Sequence, residues 1–160
     1  MRKFKIFILP FVLVFLCACS ASSVTPVTEG ISFNAHIFYY NKEYTCAVII
    51  QNNGDTVLTL TEPQLISGAK VVVTKDGAYA EYQDIKYPVN ISRAEGAPYF
   101  LLGVLDDIKT KSAKKTDSGY AIEGNWAEQK YKITLAESGI PLTLTGENIE
   151  IEFLDAKIIG

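Results

Sequence analysis

The sequence predicts an α+β domain in which an antiparallel sheet of about nine strands packs on one central helix. Three observations lead to this prediction. From Gly30 onward, apolar and polar residues alternate with a period of two, in short runs that end at turn residues. One segment near the middle has helical spacing instead, and no crossover βαβ unit joins the strands, which excludes a doubly wound α/β sheet.

The predicted strands follow one another through tight connections. ISFNAHIFYY (residues 31–40) and EYTCAVIIQ (43–51) come first, and NNGD (52–55) forms a hairpin to TVLTLT (56–61). Asn-Gly indicates a hairpin because both residues tolerate positive φ. A similar turn at residues 75–77 joins AKVVVT to AYAEY. The later strands are YAIEG (120–124), KYKITLA (130–136), PLTLT (141–145) and NIEIEF (148–153).

The single predicted helix lies in APYFLLGVLDDIKTKSAKK, residues 97–115. Its apolar residues recur at positions 100, 101, 104, 105 and 108, and Pro98 suits a first helical turn. The cluster of Lys109, Lys111, Lys114 and Lys115 at its end has two interpretations. It is either a solvated helix end and loop or a surface that touches anionic lipid headgroups.

The first residues have the layout of a secretory signal peptide. Arg2, Lys3 and Lys5 precede an apolar run over residues 6–16, which is too short to span a bilayer as a helix, since that takes about 20 residues. LCAC, residues 16–19, resembles the lipobox of bacterial lipoproteins, with Leu16 three positions before Cys19 and Ala18 directly before it. Cys17 does not fit, because bulky Leu16 would occupy the small-residue position.

The resemblance implies that Cys19 becomes the lipidated first residue of an extracytoplasmic protein held on a bacterial membrane. We therefore predict a lipoprotein signal peptide over residues 1–18, a flexible tether over 19–29, which is rich in Ser and Thr, and one β domain over 30–160. A diacylglyceryl anchor carries more than one acyl chain and therefore holds a protein stably on the membrane, whereas a single acyl chain binds only marginally.

The composition after cleavage excludes several partners. The whole chain has a net charge of −3, and removal of three basic leader residues brings it to −6. An acidic exported domain is a poor candidate for binding nucleic acid, because such binding requires a basic patch or stripe. Cys46 is then the only cysteine besides the lipidated one, so we expect no intramolecular disulfide, and we expect a monomer.

No catalytic or metal-binding motif is present in the sequence. His36 is the only histidine, and no CxxC or HExxH spacing occurs, so we expect neither a metal nor a cofactor. A nucleophilic pair of Cys46 and His36 is the one enzymatic alternative. Cys46, however, shares a strand face with Tyr44, Val48 and Ile50, which indicates a buried, unreactive thiol. We predict that the protein is not an enzyme.

The order of elements resembles the LolA-like half-barrel superfamily of lipoprotein carriers. The resemblance lies in TEPQLISGAKVVVTKDGAYAEYQDIKY (residues 61–87), in YKITLAESGIPLTLTGENIEIEF (131–153) and in the helical segment between them. It implies a curved half-barrel sheet around a helix, with a cavity for acyl chains.

On this basis the leading hypothesis is a lipoprotein that binds a lipid or another apolar ligand between sheet and helix. The alternative is a non-catalytic envelope interaction or sensor module with a filled core. The predicted cavity residues come from both elements. They are Phe100, Leu101, Val104 and Leu105 on the helix, and Tyr44, Val48, Ile50, Leu58 and Leu60 on the sheet.

Overall fold

The computed structural model describes residues 23–91 and 95–159. The predicted signal peptide and Cys19 lie outside the described residues. Within the described residues, one antiparallel sheet of eleven strands packs around one α-helix. The strands are β1 Ile31–Tyr39, β2 Lys42–Ile50, β3 Thr56–Glu62, β4 Lys70–Thr74, β5 Gly77–Tyr82, β6 Ile85–Val89, β7 Lys114–Thr116, β8 Gly119–Trp126, β9 Gln129–Leu135, β10 Pro141–Gly146 and β11 Ile149–Ile158; helix α1 is Ala97–Asp107.

The sheet consists of two meanders that meet at its centre. Its order is β6-β5-β4-β3-β2-β1-β11-β10-β9-β8-β7, so every hydrogen-bonded neighbour is antiparallel and only β1 and β11 join the two halves. Helix α1 connects the outer strands β6 and β7, and a 3₁₀ turn, Ile108–Thr110, follows it. The α+β class with one helix and an antiparallel sheet is confirmed.

The predicted count of nine strands is wrong, and the two missed strands are the two edges. β6 contains Pro88, which argues against a strand in the sequence because proline has no backbone N–H to donate. It is tolerated here because β6 is an edge strand, with a neighbour on one side only. β7 has only three residues, all exposed and polar, so it shows no alternation.

Tight turns hold the meanders together. Gly54 has a φ of 83° in the hairpin between β2 and β3, as the Asn-Gly signal predicts. Three two-residue hairpins have positive φ at both central residues, although none of these residues is glycine. These turns are Tyr40-Asn41, Gln83-Asp84 and Ala127-Glu128.

The core lies on the concave face of the sheet, where the curved strands wrap around α1. On β1 the buried residues alternate, as Ile31, Phe33, Ala35 and Ile37 do. Helix α1 buries seven of its eleven residues, more than one stripe of a helix, because the sheet reaches it from several sides. Among the described residues, the buried hydrophobic core cluster lies between positions 31 and 153, so a chain of residues 20–160 includes all of it.

Residues 24–28 lie against this domain, although the sequence places them in a flexible tether. The backbone N–H of Val27 donates to the carbonyl of Gly139 at 2.9 Å, and Thr28 is buried. Val24 and Val27 pack against the core, and Glu29 pairs with Lys109 at 3.2 Å. Two apolar side chains in an otherwise small and polar stretch give these residues enough contact to belong to the domain. Within the described part of the chain, no helix is long and apolar enough to cross a membrane.

Candidate ligand cavity

A cavity of about 250 Å³ lies between α1 and the first meander. Its floor is a row of paired residues on neighbouring strands, Ile50, Thr56 and Val73, which share the concave face because directly paired residues point the same way. The helix supplies the opposite wall. The full lining is Thr28, Ile50, Gly54, Thr56, Val73, Ile91, Leu102, Gly103, Leu105, Asp106, Lys109 and Trp126.

The residues predicted to line a cavity lie on α1 or on the concave face of the sheet. Ile50 and Leu105 lie on the wall of this cavity. The other seven pack with one another or against the core instead. Of these, Val48, Leu58, Phe100, Leu101 and Val104 are buried, and Tyr44 and Leu60 are half-buried.

Several residues that line the cavity were not predicted from the sequence. Val73 alternates with buried Val71 on β4, a signal that could have placed it on the concave face. Thr28 precedes the first strand and gave no signal. Trp126 stands out in the sequence as the only tryptophan, but nothing local indicates that it folds back onto the helix.

Trp126 lines one side of the cavity and lies against the helix at Gly103. A Cβ atom on Gly103 would overlap Cε2 and Cζ2 of the indole, so only glycine permits this approach. The Trp126 ring also meets Phe100 edge to face, with 5.9 Å between the ring centroids. The tip of the β8–β9 hairpin thereby holds α1 in the concavity.

The concave face continues beyond the helix as an uncovered apolar surface. Val73 pairs with Ala78 and Ala78 with Val89, so the floor of the cavity runs on to β5 and β6. Helix α1 has eleven residues, about 16 Å at 1.5 Å each, and leaves this end open. The concave apolar surface consists of Tyr82, Ile85 and Tyr87, which are 36%, 53% and 59% exposed.

A polar cluster fixes the C-terminal end of α1 to β9. Lys111 Nζ donates to Asp107 Oδ2 at 2.6 Å and to the Tyr131 hydroxyl at 3.0 Å, and that hydroxyl donates to the same carboxylate oxygen at 2.5 Å. Burial acts to raise the pKa of Asp107, but the hydrogen bonds from Lys111 and Tyr131 outweigh it and hold the pKa below its ordinary value. Burial and the bond to Asp107 raise the pKa of Tyr131. The cluster is satisfied internally and orients the helix.

Cys46 and His36 cannot act together. Cys46 pairs with Ala35 on the concave face, whereas His36 pairs with Thr45 on the convex face. Burial raises the pKa of the Cys46 thiol to about 12, which leaves it protonated and unreactive. Among residues 23–91 and 95–159, no group of three His, Cys, Asp or Glu side chains is arranged to hold a metal ion.

An open, curved antiparallel sheet wrapped around a helix defines a half-barrel. No family model and no curated protein sequence matches this chain. Among solved structures, the chain is similar to the crystal structure of a LolA superfamily protein from Nitrosomonas europaea, with a TM-score of 0.51 and 11% sequence identity. The alignment covers 85% of this chain and 89% of that one. At this identity the likeness concerns the fold alone: the half-barrel is LolA-like, as the order of elements predicts.

Proposed function

We propose that this protein is an extracytoplasmic lipoprotein, anchored to a bacterial membrane through Cys19, that binds an apolar ligand in its half-barrel. The observation that carries the proposal is the continuity between the cavity beside α1 and the concave apolar surface. Exposed, contiguous apolar surface in a concavity is typical of a binding site. The LolA-like fold supports the same conclusion.

The size of the cavity limits the ligand. Its 250 Å³ lies just below the usual range of about 300–1,000 Å³ for small-molecule sites. It therefore holds part of one acyl chain rather than several chains, and the remainder of that chain lies along Tyr82, Ile85 and Tyr87. Each buried methylene contributes about 0.8 kcal/mol.

Native mass spectrometry of residues 20–160, purified from bacterial cells without detergent, tests ligand binding. We expect a co-purifying mass that dissociates as a lipid and whose occupancy falls in Ile85→Asp/Tyr87→Asp. The matched control is Ile49→Asp/Leu154→Asp, since these two apolar residues are 46% and 45% exposed on the convex face. An apo mass that persists after incubation with phospholipid would refute the proposal.

That second outcome would favour the alternative of a non-catalytic interaction module. One observation supports this alternative: seven of the nine predicted cavity residues are packed in or against the core. Equal loss of lipid from Ile85→Asp/Tyr87→Asp and from Ile49→Asp/Leu154→Asp would also favour the interaction module. Lipid retention would then not depend on the concave surface.

Anchoring is tested separately in the full chain. Cys19→Ala should abolish the lipid-dependent mass increase and release the protein from washed membranes. Cys17→Ala is the control and should leave both unchanged, since Cys17 lies in the part removed by cleavage. Release of the Cys17→Ala protein with retention of the Cys19→Ala protein would contradict the assignment.

A further inference from the structure

A basic surface lies at the outer edge of the second meander. Lys114, Lys115 and Lys132 border one depression of about 440 Å³, in which Glu123 is the acidic residue. All three lysines are exposed, and none forms an ion pair with a described residue. Lys114 lies on the same face of the sheet as Lys132, which is paired directly with Glu123, whereas Lys115 lies on the other face of the edge strand. Lys111 also borders the depression, but it is paired with Asp107. Three lysines without an ion pair therefore surround this edge of the sheet, with one carboxylate beside them.

The charge of the chain is strongly divided along the sequence. Residues 109–132 hold six lysines and three acidic residues. The other positions from 19 onward hold six basic and 15 acidic residues. Lys109 and Lys111, however, pair with Glu29, Asp106 and Asp107. The remaining residues 114–132, which form β7, β8 and part of β9, hold four lysines and three acidic residues and are thus slightly positive in an otherwise acidic domain.

Protection of an exposed strand edge does not account for this surface. Lysines on a short edge strand such as β7 do oppose pairing with other chains. Lys132, however, lies on β9, which is hydrogen-bonded on both sides, and it borders the same depression as the β7 lysines.

The basic surface lies near the place where the chain leaves the domain toward Cys19. Val27 bonds to Gly139 in the turn between β9 and β10. The turn between β7 and β8 is at the same end of the sheet, since Tyr120 near the start of β8 pairs with Leu135 at the end of β9. From Cys19 to Thr25 the chain extends at most about 21 Å. An anchored domain therefore has this edge within reach of the bilayer.

We propose that Lys114, Lys115 and Lys132 bind the anionic headgroups of the membrane surface and turn this edge toward the bilayer. The role rests on the membrane anchoring proposed above, but the binding itself does not require the anchor or a filled cavity. Each lysine near an anionic surface strengthens binding about five-fold, so three strengthen it about 100-fold.

The test is co-sedimentation of residues 20–160 with vesicles of phosphatidylcholine containing 40% phosphatidylglycerol, at low salt. We expect binding that is absent with pure phosphatidylcholine and that Lys114→Gln/Lys115→Gln/Lys132→Gln weakens by about 100-fold. The control, Lys42→Gln/Lys70→Gln/Lys75→Gln, removes the same charge from exposed lysines of the first meander and should bind at least half as well as the parent. Salt at 0.5 M should abolish the binding by screening.

Equal weakening by the two triple variants would overturn the proposal, because net charge and not this surface would then govern binding. Absence of binding by the parent chain would overturn it as well. The single variant Lys132→Gln should weaken binding about five-fold. It tests the same surface in case the triple variant does not fold. Retained lipid in the mass-spectrometric experiment is independent of these results, so the two proposals can fail separately.

Discussion

Replacement of Gly103 by alanine tests how the half-barrel holds its helix. In most helix interiors this change stabilises a protein by about 1 kcal/mol, because glycine has the greater backbone freedom to lose. In this chain the new methyl group would overlap the indole of Trp126. The two effects have opposite signs, so the outcome measures the contact directly.

The magnitude follows from the geometry. Overpacking of this kind costs about 1–3 kcal/mol. A displaced Trp126 also loses part of its edge-to-face contact with Phe100, which contributes about 0.5–1.5 kcal/mol. After the gain of about 1 kcal/mol in helix propensity, Gly103→Ala should lower the free energy of unfolding by about 1–2 kcal/mol.

Urea unfolding of four proteins checks this reasoning: the parent chain, Gly103→Ala, Trp126→Ala and the double variant. In the Trp126→Ala background the methyl group meets no indole, so Gly103→Ala should stabilise the protein by about 1 kcal/mol. The sign therefore inverts, with a coupling energy of about 2–3 kcal/mol. Stabilisation by Gly103→Ala in the parent chain, or the same effect in both backgrounds, would refute the proposed packing.

Three other expectations concern the core, the polar cluster and the buried thiol. Leu101→Ala should lower the free energy of unfolding by about 2.7–5 kcal/mol, because Leu101 is fully buried, whereas Leu142→Ala, at 41% exposure, should change it by less than about 0.5 kcal/mol; equal losses in urea unfolding would contradict the burial pattern. Tyr131→Phe removes a hydrogen bond to a carboxylate and should cost about 1–2 kcal/mol at neutral pH. Since the pKa of Asp107 is lowered in the fold, this difference should persist above about pH 5 and shrink as the pH falls through that lowered value, which unfolding curves from pH 7 to 2 would detect. In residues 20–160 the Cys46 thiol should react with a disulfide reagent at pH 8 only on unfolding, and rapid labelling of the native protein would contradict its burial.

Much of the fold could be predicted because one face of each inner strand is buried. Alternation along β1 and β2 identifies the inward residues, and the apolar spacing around Phe100 and Leu101 identifies the helix. These signals arise from local periodicity, so they are visible before any tertiary contact is known.

The remainder depended on long-range packing. The edge strands have only one neighbour and little buried surface, so β7 has no apolar pattern to detect. The position of the cavity is set by where α1 ends relative to the first meander and by the fold-back of Trp126, and neither is encoded in spacing along the chain. Val27 packs on a turn more than a hundred residues away, which no local signal indicates.

The central place of strand β11 has a consequence for how the chain matures. β11, Ile149–Ile158, follows the other ten described strands in the chain, yet it is bonded to β1 on one side and β10 on the other. Until it arrives, both meanders keep an open edge, and pairing between strands as far apart in sequence as β1 and β11 is slow to form. The sheet is thus completed only after residues 149–158 have been synthesised. A product truncated before Ile149 would keep both of these edges open and would therefore be a substrate for aggregation or proteolysis.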